Sequence, residues 1–155
     1  MTFVDIGAGT GFFSREAATI VGTEGKAIAA EMSPELVEYL RTKGVPETVE
    51  VLQSEEYAIP LRTSVADFTW IAFVTHENAD LPRFLAEAAR ITKDGGKIVI
   101  VEWKKQEEQF GPPMEERLGE KRLREYLKEF RITGAGSLNP SHYFIELEVK
   151  KTTTV

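Results

Sequence analysis

Cysteine is absent from the 155 residues and histidine occurs only twice. These shortages exclude disulfides, thiolate nucleophiles, thiol redox chemistry and cysteine-based zinc sites, and with no His-rich cluster no metal is expected. A reducing compartment, the cytoplasm, is the expected location. No apolar run approaches the ~20 residues that span a bilayer, and the N-terminus shows neither the basic nor the apolar region of a secretion signal. Acidic residues outnumber basic ones, 25 to 19, for a formal net charge of −6. Sequence-independent binding to phosphate backbones draws on clustered Lys and Arg, and no basic patch with interleaved aromatics is present. Small molecules are therefore the expected partners, with no nucleic acid and no membrane.

The remaining composition, 42% apolar and 28% charged, is that of a soluble globular chain, and 155 residues fit one domain, 1–155. Phe3 to Ile6 is a short apolar run broken by Asp5. Gly7-Ala8-Gly9-Thr10-Gly11 follows, and then Phe12, Phe13, Ala17, Ala18 and Val21 recur at helical spacing. The pattern predicts strand, glycine turn, helix. A second buried strand runs from Ala27 to Glu31, and Ser33-Pro34 caps a second helix that stops at Gly44. Val49 to Leu52 and Ala66 to Val74 are the third and fourth strands. Asp80 and Pro82 open a helix that closes at Asp94-Gly95-Gly96, ahead of the buried strand Lys97 to Trp103. A polar stretch and a helix from Glu120 to Phe130 come next. Arg131 to Ala135 and Tyr143 to Val149 form a terminal hairpin. Alternating strands and helices predict an α/β fold: a Rossmann-like, doubly wound, mostly parallel seven-stranded sheet, with helices on both faces and an antiparallel C-terminal edge hairpin.

The chemistry-bearing signal is Asp5-Ile6-Gly7-Ala8-Gly9-Thr10-Gly11, at the first strand-to-helix crossover. Doubly wound sheets bind ligands there, because glycines let the backbone approach closely and the following helix offers free N–H groups. A dinucleotide fingerprint starting at Gly7 requires a small residue at position 12, which is Phe12. Glu31, at the end of the second strand, is placed to accept ribose hydroxyls.

This D-x-G-x-G-x-G pattern resembles motif I of class I S-adenosylmethionine-dependent methyltransferases. The stretch AIPLRTSVADFTWIAFVTHENADLPRFLAEAARITKDGGKIVIVEW is similar to that of small methyltransferases related to the ubiquinone and menaquinone biosynthesis methylases. The resemblance runs from Phe3 through Trp103. It implies an enzyme that binds S-adenosylmethionine, leaves S-adenosylhomocysteine, and methylates a small-molecule acceptor by in-line transfer. It also implies that Asp5, Gly7, Ala8, Gly9 and Gly11 hold the methionine moiety, that Glu31 binds the ribose, and that Met32 lies against the adenine. Glu55 or Glu56 would meet the adenine amino group, although an acidic surface loop accounts for that pair equally well. Phe73 and Val74 would end the fourth strand over the cofactor, with Thr75, His76 and Glu77 facing the acceptor. His76 and Glu77 are thus the candidates for a general base, and Arg117 either meets an anionic acceptor or, equally, forms a local salt bridge. Relatives of this kind usually carry an N-terminal helical cover, which this chain, starting at Met1-Thr2, is expected to lack. An acceptor side left open or covered by a second subunit, in a homo-oligomer, follows. Two other readings share the fold: a cofactor-binding regulatory or assembly partner without catalysis, and an NAD-dependent oxidoreductase.

Overall fold

The computed structural model describes residues 1–152. Strand β1 (Thr2–Ile6) leads into helix α1 (Phe12–Val21), and β2 (Lys26–Glu31) into α2 (Pro34–Tyr39). Ser33 caps α2 by accepting a bond from Leu36 N, with Pro34 in the first turn as expected. The chain continues through β3 (Val49–Gln53), β4 (Ala66–Ala72), α3 (Leu81–Ile91) and β5 (Thr92–Trp103). It closes with α4 (Glu120–Tyr126), β6 (Arg131–Ser137) and β7 (His142–Glu148).

All seven strands join one sheet in the order β3-β2-β1-β4-β5-β7-β6. Pairing is parallel from β3 to β5, and β7 runs antiparallel to both β5 and β6. The Rossmann-like class expected from the sequence is the class observed. After β1 the chain winds outward to β3 and then returns on the other side of β1 to form β4. That reversal opens a crevice at the C-terminal ends of β1 and β4, where such sheets bind ligands.

Strand alternation divides the buried residues into two cores. Val4, Ile6, Ile28, Ala30, Ile71, Ile98, Ile100, Ile145 and Leu147 point to one face and pack against Phe84, Leu85 and Ile91 of α3 and Leu123 of α4. On the opposite face Ala27, Ala29 and Val49 meet Ala17 of α1 and Leu40, a smaller core over β1 to β3. Beyond β1 this second face is aromatic and only half-buried: the Phe3 and Phe68 rings stack at 5.4 Å, and Phe13 lies 5.1 Å from Trp70.

α2 ends at Tyr39, where a π-helical turn, Leu40–Gly44, carries the chain to the expected stop, and β6 and β7 shift by one or two residues; three further differences each have a local reason. β4 ends at Ala72 rather than Val74, because Phe73 takes a left-handed φ of 61° and turns the chain out of the sheet. β5 begins at Thr92, before the glycines; the buried Thr92 hydroxyl bonds to Thr69 Oγ1 and to Ala88 O, both at 2.7 Å, and ties the helix end into the sheet. Gly95 N then donates to Val149 O at 2.7 Å, and the strand runs on through Asp94-Gly95-Gly96 as a bulge in its pairing with β4. Finally α4 stops at Tyr126, with Leu127 N bonded three residues back to Arg124 O, and a turn completes the path to Phe130.

Ile100 has no exposed surface and Ile20 is 76% exposed. Ile100→Ala is expected to cost about 2–5 kcal/mol in urea unfolding, and Ile20→Ala to stay within about 0.5 kcal/mol.

Candidate cofactor and acceptor site

The turn after β1 carries Gly7, Gly9 and Gly11 at φ of 74°, 59° and 89°. Gly7 and Ala8 both donate their N–H to Ala30 O on β2, at 2.8 and 3.1 Å. Gly7 is required by close approach, since a Cβ there would lie 2.4 Å from Val74 Cγ2. Nothing lies within 4 Å of a Cβ built at Gly9, which therefore borders open space.

Glu31 fixes this turn from the end of β2. Its Oε1 accepts from Gly9 N at 3.0 Å and its Oε2 from Ser33 N at 2.7 Å. The residue is buried, and each oxygen keeps a lone pair for a ligand hydroxyl. Asp5 sits behind the turn, 2% exposed, accepting from Ser14 Oγ at 2.7 Å. Burial pushes its pKa up to about 6 against the Ser14 bond, and the charge of Glu31 adds to the rise.

A cleft of about 290 Å³ opens over the turn. Gly7, Gly9, Glu31 and Met32 line it from β1 and β2, Glu55 and Glu56 from the loop after β3, and Phe73 and Glu77 from the segment after β4. Nine of the residues singled out in the sequence, Val74 among them, thus meet at one cavity. Asp5, Ala8, Gly11 and His76 stand outside its lining and act on it from behind or beside the turn. Ile6, Ser54, Ala72, Asn78 and Phe84 complete the lining and carried no sequence signal beyond apolar patterning or loop position. Among the lining residues four are glutamates and none is Lys, Arg or His. A larger hollow of about 510 Å³, among Lys104, Lys105, Lys121 and Tyr143, contains none of the turn residues.

Next to the cleft, and sharing Asn78 with it, is a second cavity of about 270 Å³ that His76 lines. His76 Nδ1 lies 2.9 and 3.1 Å from the two oxygens of Glu102, a wholly buried residue near the end of β5. Glu102 also accepts from Thr75 Oγ1 at 2.7 Å and from His76 N at 3.0 Å. The Glu102 hydrogen bond raises the His76 pKa above its ordinary value, against the effect of burial. The sequence reading passed over Glu102; its signal was a lone acid inside the apolar run KIVIVEW.

Arg117 forms a local salt bridge with Glu108. It is 3% exposed and donates to Pro112 O and Phe110 O at 2.8 Å, to Lys104 O at 3.2 Å and to Glu108. Its guanidinium stacks 4.9 Å from the Trp103 ring, so it pins the segment after β5. His142 is packed between Phe73 and Trp103, with Nδ1 held 2.9 Å from Asn139 Nδ2.

Residues 4–100 match the model of the methyltransferase domain family. The chain belongs to that family. A solved S-adenosylmethionine-dependent methyltransferase from Aquifex aeolicus is 32% identical, with a TM-score of 0.89 over 96% of this chain and 82% of its own. A protein from Sulfolobus solfataricus, 24% identical, shares the fold with a TM-score of 0.82 over 99% of this chain and 86% of its own. The ubiquinone/menaquinone biosynthesis C-methyltransferase UbiE of Shewanella piezotolerans is 30% identical over 109 residues, 68% of this chain and 43% of that protein. The chain thus spans less than half the length of the curated relatives it matches. Family membership makes S-adenosylmethionine the cofactor, and the cleft fits it: open space over Gly9, free lone pairs on Glu31 for ribose hydroxyls, and an acidic lining for a cation.

Gly9→Ala is expected to weaken S-adenosylhomocysteine binding at least tenfold by calorimetry while costing about 1–2 kcal/mol of stability for the left-handed φ. Gly7→Ala, which meets Val74, should be the less stable of the two. Asp5 gives a pH signature. An acid whose folded pKa is raised contributes its full stability below the unfolded value near 3.8, and that contribution is lost as pH rises to about 6. Unfolding of Asp5→Asn and of the unsubstituted protein should converge at pH 3.5, and the variant should gain by up to about 3 kcal/mol by pH 7.

Proposed function

We propose that the chain transfers a methyl group from S-adenosylmethionine to a small phenolic or quinol-type acceptor, in the cytoplasm and without nucleic acid. Bound S-adenosylmethionine supplies an electrophilic methyl on a positively charged sulfonium. The observation that carries the reading is the lining of the cleft: four glutamates and no cationic side chain around an open glycine turn. Such a surface favours a cationic ligand and disfavours a pyrophosphate, which counts against the dinucleotide alternative. Phe73, Trp103, Phe110 and His142 make a contiguous aromatic group at the same edge of the sheet, suited to a flat ring. That the UbiE relatives are ubiquinone/menaquinone biosynthesis C-methyltransferases supports an aromatic acceptor. No helix among the described residues is long and apolar enough to cross a membrane. The half-exposed aromatic strip over β1 and β4 supports association between copies, for which light scattering is the check.

The chain's own contribution is placement. Glu31 and the glycine turn fix the donor, and the acceptor is held against it with water excluded. Calorimetry should show S-adenosylhomocysteine binding, weakened at least tenfold in Glu31→Ala, with no binding of NAD. Tight NAD binding without S-adenosylhomocysteine binding refutes the reading.

A further inference from the structure

His76 and Glu102 are placed as a proton-accepting pair. Glu102 uses both oxygens only as acceptors, from the Thr75 hydroxyl, the His76 backbone and ring, and Trp103 N at 3.1 Å. Glu102 has no exposed surface and, among the described residues, no Lys or Arg within salt-bridge distance, so these donors are what satisfies its buried oxygens. Because Nδ1–H is committed to Glu102, neutral His76 carries its free lone pair on Nε2. Nε2 is 3.7 Å from Glu77 Oε1, and Glu77 lines the cofactor cleft while His76 lines the adjoining cavity. The ring therefore stands at the boundary between the two.

We infer that His76 is the general base for the acceptor hydroxyl and that Glu102 is its positioning residue. This rests on the proposed methyl transfer to a phenol-type acceptor. The O–H bond of the acceptor breaks and its proton passes to His76 Nε2, while the electron pair left on oxygen raises the nucleophilicity of oxygen and ring. The new bond to the methyl carbon forms as the C–S bond breaks, its pair remaining on sulfur. On a ring carbon, the displaced ring proton returns to oxygen; in either case His76 gives one proton to water and the balance closes.

Other charged and titratable groups face the ring. Glu77 lies on its own turn, Glu116 and Arg117 border the cavity from the segment after β5, Asp80 from the head of α3 and Tyr126 from α4. Arg117 is already bonded to Glu108 and three carbonyls. Glu102 foremost, then Glu77 and Glu116, favour the imidazolium and so strengthen the base.

The test uses 4-nitrophenol, whose neutral and ionised forms differ in colour, added to the protein with S-adenosylhomocysteine. Below the pH at which the free phenol ionises, bound 4-nitrophenol should absorb as phenolate in the unsubstituted protein and as phenol in Glu102→Gln and His76→Gln. With only two histidines, imidazole NMR separates the pair from His142: the His76 titration should move to lower pH by about one unit or more in Glu102→Gln. If Glu102→Gln does not fold, His76→Gln still decides the absorbance result. The proposal is overturned if the probe binds as neutral phenol, if it does not bind at millimolar concentration, or if both variants leave the spectrum unchanged. Failure of S-adenosylhomocysteine to bind the unsubstituted protein refutes the methyltransferase reading instead, so the two failures are distinguishable.

Discussion

The carboxylate of Glu31 joins two turns that would otherwise end in free backbone groups. Strand β2 stops with this residue, and its two oxygens take the N–H of Gly9 on one side and of Ser33 on the other. An acid buried at a strand end is costly without such bonds. With them it becomes the rigid corner of the cleft, because the glycine turn and the start of α2 then share one anchor. The same charge reaches Asp5 behind the turn and helps to hold that acid partly protonated near neutral pH. Shape and electrostatics in the cleft thus have a common origin.

The reversal of strand order beside β1 gives that corner its use. The turn of β1 and the exit of β4 face each other across the gap, and Phe73, in its left-handed conformation, carries the chain away from the sheet above it. Backbone strain of this kind costs about 1–3 kcal/mol and persists where surrounding contacts enforce it. Here the enforcing contacts are the Phe73 N–H bond to Val101 O at 2.9 Å and the packing of its ring on Trp103 and His142. The result is that aromatic rings gather at the end of β5 while Phe73, Val74, Glu77 and Asn78 are left to line the cleft.

Much of this was legible because it is local. Alternating strands, the caps at Ser33 and Asp80 and the D-x-G-x-G-x-G turn each depend on a few neighbouring residues, and they located the sheet, the switch point and Glu31. The unread parts are contacts between distant segments. For Arg117 the sequence left a local salt bridge and an anionic acceptor equally open, and it did not show that carbonyls from Lys104 to Pro112 close around the side chain once the chain folds back on Trp103. Glu102 looked like one more residue of a strand, and its meaning depends on a turn 26 residues earlier placing Thr75 and His76 against it. Strand ends were misjudged where a hydroxyl or a left-handed residue overrode the apolar pattern, at Thr92 and at Phe73.

The shortage of nucleophiles with which the sequence begins takes on a different sense in the folded chain. A hydrolase or a redox enzyme without cysteine and with two histidines would lack its reacting groups, whereas displacement at a sulfonium methyl asks mainly for alignment and exclusion of water. The polar residues committed deep inside the protein are accordingly few, and the acids among them sit at strand ends beside the crevice: Asp5 and Glu31 under the cofactor cleft, Glu102 under the adjoining cavity. The larger core beside them is apolar. Glu31 and Glu102 follow a rule that burial energetics imposes: a buried carboxylate needs donors around it, and backbone N–H groups supply them where strands end and turns begin.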